Sequence, residues 1–428
     1  MSLPSPSMDP STEPNLDPAP GHSDVRVSAG LDWASEDHAV CVLEPGGQVV
    51  DRFSVAHTAP GLRSLVRRLL KAGVDEIGIE RSDGPVVEAL FQAGLVVLVI
   101  SPNQVKNLRS RYGSAGNKDD RFDAYVLADV ARTDRHRLTP LTRSTPATTA
   151  LRTTVRTRRN LVEHRVAAAN QLRAHLQHVF PAAASLFADI DSMITLNFLE
   201  RFPTQTKADW LTPTRLGQWL KRVTYSGRVA PEVLHQRLVD APRGTTGPDA
   251  DAHAASTLAF VAVLRALLTQ IDALEDAIAA QLHIHPDQHI VTSLPRSGML
   301  RAARLLAEIG DARGRFPTAE SLACLAGVAP STRQSGKLKI VTFRYSADHQ
   351  LRDALCDFAN DSRHANHWAA DLYDRARERG HDHPHAVRIL ARAWANIIWR
   401  CWQDHTSYQP DQHRALQRVL TQTPTQAA

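Results

Sequence analysis

The stretch VRVSAGLDWASEDHAVCVLEPGGQVVDRFSVA, residues 25–56, decides the fold class of the N-terminal part of the chain. Residues 25–34 and 38–44 read as two strands, PGGQ (45–48) as a turn, and residues 49–56 as a third strand. Together they predict an antiparallel meander. Beyond it the signals alternate. PGLRSLVRRLLKAG (60–73) predicts an amphipathic helix that opens on Pro and stops at Gly. DEIGIE (75–80) predicts a strand, GPVVEALFQAG (84–94) a helix, and LVVLVIS (95–101) a buried strand. A further helix follows NKDD (117–120).

Three antiparallel strands followed by βαβ units describe a ribonuclease-H-like (RuvC-like) α/β domain with helices on the faces of its sheet. At 428 residues the chain is long enough for two or three such cores. The expected division is a disordered tail at 1–24, the α/β domain at 25–142, an arm at 143–285, a mostly helical domain at 286–405 and a second tail at 406–428. The first tail is rich in Pro, Ser and Asp. The overall class is therefore multidomain, α/β plus α.

Composition narrows the function classes. The net charge is +5, mostly from Arg, whose planar fork matches phosphate oxygens. Cys41, Cys324, Cys356 and Cys401 are far apart and form no CxxC pair. That argues against a zinc site and a disulfide framework, and fits a reducing compartment. No run reads as long and apolar enough to span a bilayer, and no basic-then-apolar signal opens the chain. The expectation is a cytoplasmic protein, nucleoid-associated when bound to DNA, with no membrane partner.

Residues 151–180 predict one long helix, with Val155, Val162, Ala169 and Leu176 recurring every seven residues and Leu172 and Val179 on the adjoining line. A second runs from about 252 to 283, with Phe260, Leu264, Leu267, Ile271, Leu274 and Ile278 in steps of four and three. These seams predict an antiparallel coiled-coil arm with a tip at about 182–250. Arg152, Arg156, Arg158, Arg159, Arg165 and Arg173 make the first helix basic against the single acid Glu163. Such a run is either a solvated face or a nucleic-acid contact, and its density and single sign favour the second. In the third part, TSLPRSGMLRAARLLAEIGD (292–311) resembles a helix-hairpin-helix element, whose turn amides can meet a phosphate. Trp394, Trp399 and Trp402 are expected in the core. HDHPH (381–385) is expected as a polar turn rather than a metal site.

NKDDRFDA (117–124) completes a constellation of acids. Asp32 ends the first strand and Glu80 the fourth. Asp120 and Asp123 stand i, i+3 on one helical face, roughly 5–6 Å apart at Cβ. Asp119 reads as an N-cap. The sheet is expected to gather the four acids around one divalent-ion site. Hard oxygen ligands of this kind suit Mg²⁺ or Mn²⁺, and two ions roughly 3.5–4 Å apart would serve both the entering and the leaving oxygen of a phosphoryl transfer. Lys118 and Arg121 would contact phosphate or screen the carboxylates.

GLDWA, IGIE and KDDRFDA resemble the Asp-Glu-Asp-Asp motifs of the DEDD transposases of the insertion-sequence one-ten family, which includes Piv-type DNA invertases. LPRSGMLRAARLLAEIGD and RFPTAESLACLAGVAPSTRQSGK are similar to that family's C-terminal transposase domain. The resemblance spans about residues 25–405, in the family's order. Two departures stand out: Arg296 replaces the usual Gly of a Pro-Gly-x-Gly turn, and Asp119 replaces the usual Thr. The resemblance implies a second catalytic group, Ser335 in the Ser-Gly step of APSTRQSGK, with Ser331 and Thr332 as lesser candidates. Read on its own, Ser before Gly is a turn residue. No His lies close in sequence to act as its base, and Arg333, Lys337 and Lys339 could stabilise developing charge.

The resemblance further implies a homodimer or homotetramer, donor and target double-stranded DNA, a phosphoserine link and strand exchange without net hydrolysis. It also implies a structured non-coding guide RNA encoded by the element. The rivals are a metal-dependent Holliday-junction-type nuclease, which needs the acids but not Ser335, and a nucleic-acid-binding protein without chemistry.

Overall fold

The computed structural model describes residues 26–109, 119–244, 249–335 and 338–422, and the expected tail at 1–24 lies outside them. The chain divides into two compact units, Met1–Thr142 and Arg143–Ala428.

The first unit holds a five-stranded sheet in the order β3-β2-β1-β4-β5. Its strands are β1 (Val27–Asp32), β2 (Asp37–Leu43), β3 (Val49–Ala56), β4 (Val74–Ile79) and β5 (Val96–Val99). β1, β2 and β3 pair antiparallel, and β4 and β5 run parallel to β1. The helices are α1 (Ala59–Lys71), α2 (Pro85–Gln92), α3 (Pro102–Arg109) and α4 (Asp120–Thr133), so the expected order is met, with α3 as an addition. One sheet face carries Leu31, Val40, Ile77 and Ile79 into a core completed by Leu65, Leu69, Val86 and Leu90 of α1 and α2. The other face is covered by α4, with Ala124 and Ala128 packed on Ala39, Cys41 and Leu43.

The second unit opens with α5 (Pro146–Val179). A tip follows, made of α6 (Pro181–Ala184), α7 (Met193–Arg201), α8 (Gln205–Ala208), α9 (Pro213–Arg222) and α10 (Pro231–Asp240). α11 (Ala250–His283) returns along α5. The hydrogen bond between Thr148 and His285, the ion pair Arg158–Glu275 and the hydrogen bond between His175 and Thr257 run in opposite chain order, so the two helices are antiparallel. Leu172, Leu176, Leu264, Ile271 and Ile278 are buried as their spacing predicts, while Val162 is only half-buried. The tip has its own aromatic core around Phe180, Phe198, Phe202 and Trp219. By length and composition α11 is apolar enough to cross a membrane, which corrects the expectation that no run is. Part of that apolarity, Val261 and Leu264 among it, packs against α5 and the tip, and 28% of the most apolar window is buried.

The rest comprises α12 (Gln288–Thr292), α13 (Gly298–Ile309), α14 (Ala319–Leu325), the strands β6 (Ser331–Ser335) and β7 (Leu338–Thr342), α15 (His349–Ser362), α16 (His367–Glu378), α17 (His383–Gln403) and α18 (Arg414–Gln422). Arm and C-terminal domain are not separate cores: Leu151 and Val155 of α5 and Ile278 and Leu282 of α11 enter the same cluster as Leu305, Leu355 and Trp394. Residues 406–422 are not a tail either. Tyr408 and Leu416 are buried in that cluster, and the Tyr408 hydroxyl meets Asn366 and His413. The tryptophans are core residues, their indole N–H groups satisfied by Ser362 Oγ, Phe316 O and Gly310 O.

Candidate active site

The acidic edge is built by a close approach. Gly30 and Gly78 are paired across β1 and β4. A Cβ on Gly30 would lie 2.2 Å from the Ala124 carbonyl oxygen, and one on Gly78 would lie 2.6 Å from that of Leu127. Only glycine at both places lets the backbone of α4 rest on the sheet. Side chains alternate along a strand, so Asp32, two residues after Gly30, shares the α4 face. The register ends at Leu31 opposite Ile79, and the next residues are Asp32 and Glu80. The two acids therefore lie side by side at the C-terminal edge of the parallel pair, Asp32 still paired with Ala39 of β2.

α4 runs against β1: the Ser28 hydroxyl donates to the Ala128 carbonyl, and Ala124 lies over Gly30. Its first turn thus comes to the Asp32 end of the strand. Asp119 caps the helix by accepting from the Arg121 N–H, as expected. Asp120 and Asp123 follow in the first turn, where the helix dipole favours carboxylates. Asp123 is buried, Asp120 and Arg121 are exposed, and Asp32 and Glu80 are half-buried. Lys118 lies outside the described residues. The structure brings the four acids to one edge, yet among the described residues no three His, Cys, Asp or Glu side chains form a ready ligand group. Their oxygen chemistry suits a hard divalent ion, but the side chains are not drawn together into a ligand set.

Two further acids on this face are held by arginines. Glu76 is clamped by Arg135 at 2.7 Å, and Asp129 by Arg132 at 2.6 Å. On the opposite side of the same edge the Arg81 guanidinium lies 4.2 Å from the centre of the Trp33 ring. The Ala34 N–H donates to His38 Nδ1, so His38 Nε2 carries the proton and donates to His57 Nδ1 at 2.8 Å.

Ser335 belongs to the second unit. It is the last residue of β6, exposed, and pairs with Leu338 across a two-residue connection. The sequence pointed to a turn, whereas the structure puts Ser335 on the strand next to that turn. Ser331 and Thr332 pair with Thr342 and Val341 at the other end of the ribbon. Arg333 and Lys339 occupy ribbon positions opposite Ile340 and Gln334, and Lys337 lies outside the described residues.

Five of the six arginines of α5 are engaged within the unit, Arg165 with Asp191 at 3.4 Å, while Arg173 is exposed. Arg152 donates to the Ala307 carbonyl, Arg156 forms a two-pronged pair with buried Glu308, Arg158 pairs with Glu275, and Arg159 reaches Asp353 and Glu163. Burial holds Arg315, beside them, down to about 10. This corrects the expectation of an open basic face: the donors already hold carboxylates and carbonyls. The segment read as helix-hairpin-helix-like holds α12, a turn and α13. Arg296 adopts φ +54°, the left-handed region that glycine favours. Its side chain donates to Asp361 at 3.0 Å. In HDHPH, His383 bonds the Tyr373 hydroxyl, and His381 and His385 lie ring to ring.

The chain thus combines an α/β unit carrying an acidic sheet edge with a helical unit carrying a long antiparallel helix pair, a multidomain α/β plus α protein. Comparison with known proteins is specific. A family model described as "Transposase" matches residues 29–181, and one described as "Transposase IS116/IS110/IS902 family" matches 288–374. The chain is 31% identical over 407 residues to the "Mini-circle putative transposase for IS117" of Streptomyces coelicolor, covering 92% of this chain and 98% of that protein. It is 28% identical to the "Insertion element IS110 uncharacterized 43.6 kDa protein" of the same organism, over 90% of this chain and 96% of that one. It is also 28% identical to the "Insertion element IS900 uncharacterized 42 kDa protein" of Mycobacterium paratuberculosis, over 90% and 97%. The chain belongs to the IS110 family of DEDD transposases. It is an enzyme of DNA cleavage and transfer, its substrate is DNA, and the family implies a divalent metal.

The sequence reading missed the glycine pair, the Trp33–Arg81 stack and the His38–His57 pair. The signal for the first was present: a glycine stands two residues before each strand acid, in GLD and GIE.

Proposed function

We propose that this transposase breaks and rejoins DNA through a phosphoserine intermediate. The α/β unit is read as a ribonuclease-H-like catalytic domain, with Asp32, Glu80, Asp120 and Asp123 as its acids and Ser335 as its nucleophile. The observation that carries the acidic site is the register that sets Asp32 beside Glu80, under the first turn of α4. Ser335 rests on the family motif and on its exposed position at the end of a ribbon, open to a strand of DNA.

The chemistry balances as a transfer. The Ser335 oxygen attacks the scissile phosphorus and its proton leaves to a base. The bond to the leaving deoxyribose oxygen breaks, and that oxygen takes a proton. A second strand's hydroxyl then attacks the same phosphorus and releases Ser335. Mg²⁺ or Mn²⁺, when bound by the acids, would polarise the phosphate and stabilise its charge. Asp32 and Glu80 are held by strands, and Asp120 and Asp123 by a capped helix, so the acids start from a fixed edge. Homodimeric or tetrameric assembly, with the acids of one copy serving the serine of another, and guidance by a structured RNA are drawn from the family resemblance. The antiparallel α5–α11 pair is read as the coiled-coil arm of that assembly.

A nicked suicide substrate tests the reading. Wild-type protein should retain DNA covalently, the linked peptide should contain Ser335, and Ser335→Ala should bind DNA without forming the adduct. An adduct at Ser331, or full recombination by Ser335→Ala, defeats the assignment. Mg²⁺-dependent cleavage with no adduct favours the water-using junction nuclease.

A further inference from the structure

At the root of the β6–β7 ribbon lies a cleft of about 380 Å³. One wall is a face of α17, where His385, Arg388 and Arg392 stand at i, i+3 and i+7 and so point the same way. The other wall is the end of β7 with Phe343 and Arg344. Among the described residues, none lining the cleft is acidic, and Arg392 has the exposed Glu320 as its ionic partner, at 3.3 Å. Arg344 donates to the carbonyls of Ala329 and Pro330, and its charge stays uncompensated by these bonds. The positive character reaches His385, whose pKa is held below its usual value by burial, by His381 and by Arg388.

The cleft also has an aromatic lip. The Phe343 ring carries two guanidiniums, Arg388 at 4.6 Å and Arg352 at 4.7 Å. Tyr345 sits edge-on against Phe343 at 4.9 Å and is 79% exposed. A basic groove beside an open aromatic ring is the arrangement that tracks a nucleic-acid strand, through phosphate contacts and base stacking. The α17 arginines lie outside the motifs of the carboxylate edge and of the serine.

The ribbon measures the distance to the chemistry. Its root pair is Ser331 with Thr342, and its last pair is Ser335 with Leu338. Four steps at roughly 3.3 Å give about 13 Å. That equals about four nucleotide rises of 3.4 Å along one DNA strand. We propose that this cleft holds the phosphate backbone of the DNA strand joined at Ser335, about four nucleotides from the joined phosphate, with Arg388 and Arg392 on phosphates and Tyr345 under a base. The spacing rests on Ser335 as the nucleophile, whereas the cleft as a DNA site does not.

The test uses the full chain and a labelled duplex of the element's own end, with an RNA competitor of the same length. The double variant Arg388→Gln/Arg392→Gln should weaken DNA binding and flatten the log–log salt dependence by roughly one unit for each arginine removed. Melting temperature should be unchanged. Each measurement is repeated in the Ser335→Ala background, so that failure of the nucleophile leaves the binding result standing. A photoreactive base walked along the strand should cross-link Tyr345 about four nucleotides from the joined phosphate. Unchanged affinity and slope overturn the site. A defect confined to RNA binding assigns the cleft to RNA and overturns the proposal, and a Tyr345 cross-link confined to distant positions overturns the spacing.

Discussion

Gly30 and Gly78 stand opposite one another in the parallel pair of β1 and β4, and both lie directly beneath the backbone of α4. Each precedes a proposed catalytic acid by two residues, so one close approach sets the height of Asp120 and Asp123 over Asp32 and Glu80. Gly78→Ala puts a methyl group 2.6 Å from the Leu127 carbonyl oxygen. Backbone cannot rotate aside as a side chain can, so α4 must lift. The expected cost is about 1–3 kcal/mol of stability, with a loss of strand transfer larger than the unfolded fraction explains. Thermal melting beside a recombination assay checks this; full activity in Gly78→Ala would show that the height of α4 does not matter.

The Trp33–Arg81 stack links the residue after Asp32 to the residue after Glu80. An exposed stack of this kind contributes about 0.5–1 kcal/mol, little for folding but enough to restrict two neighbouring carboxylates. Arg81→Ala should therefore lower transfer several-fold while the melting temperature barely moves, and Trp33→Phe, which keeps a ring, should retain more activity than Trp33→Ala. Equal activity in all three variants would leave the stack without a role in the chemistry.

The strands of the first unit were legible because alternation or continuous apolar runs mark buried strands, and turn residues separate them. The β6–β7 ribbon was not legible. No described side chain of STRQSGKLKIVT is buried to impose a period, and Ile340 and Val341 remain exposed. The acids could be found because they sit at element ends, but the proximity of α4 could not, because it depends on what glycine lacks. The arginines of α5 misled for a different reason. A single-sign run looks open when its partners are remote in sequence, and Glu275 and Asp353 lie 117 and 194 residues from the arginines they meet.

Arg156 and Glu308 turn that correction into a prediction. Glu308 is 1% exposed and accepts two hydrogen bonds from Arg156, at 2.6 and 3.0 Å. Removing the cation strands a buried carboxylate, a loss of about 3–5 kcal/mol for one partner of a buried pair. Nearby Arg152 and Arg315 should hold Arg156→Ala to the lower end. Arg158→Ala breaks a half-exposed pair and should cost at most about 1 kcal/mol. Denaturant unfolding of the two variants should separate them; equal stabilities would return Arg156 to the role of a surface charge.

Arg296 occupies a left-handed position that costs a non-glycine residue roughly 1–2 kcal/mol. Its bond to Asp361 offsets part of this. Burial opposes the charge on Asp361, but the Arg296 hydrogen bond and the charge of Arg301 outweigh it and hold the carboxyl below its usual value. Arg296→Gly relieves the backbone and loses the bond, so its stability should stay within about 1 kcal/mol of wild type. Arg296→Ala keeps the strain and loses the bond, and should be the less stable of the two. The reverse order in thermal melting would mean that the side-chain bond, not the backbone, governs the turn.

His38 and His285 make both units sensitive to acid. In each, Nδ1 accepts a backbone N–H, from Ala34 and from Asp287, so the ring must be neutral with its proton on Nε2. Burial, then His57, holds the pKa of His38 below its usual value against the pull of Asp37. Burial also lowers that of His285, against Asp287 and Asp311. A base with a depressed folded pKa binds fewer protons folded than unfolded, so its contribution is complete above the unfolded value of about 6.5 and is lost as pH falls through the folded one. His175 and His413 are shifted the same way, chiefly by burial, and add to the slope. The melting temperature should hold between pH 8 and 7 and fall steadily from about pH 6.5 downward. His285→Asn should be less stable than wild type at pH 8 but show a shallower fall. A melting temperature that stays flat to pH 5 would mean that the folded protein accepts protons at these rings as readily as the unfolded chain does.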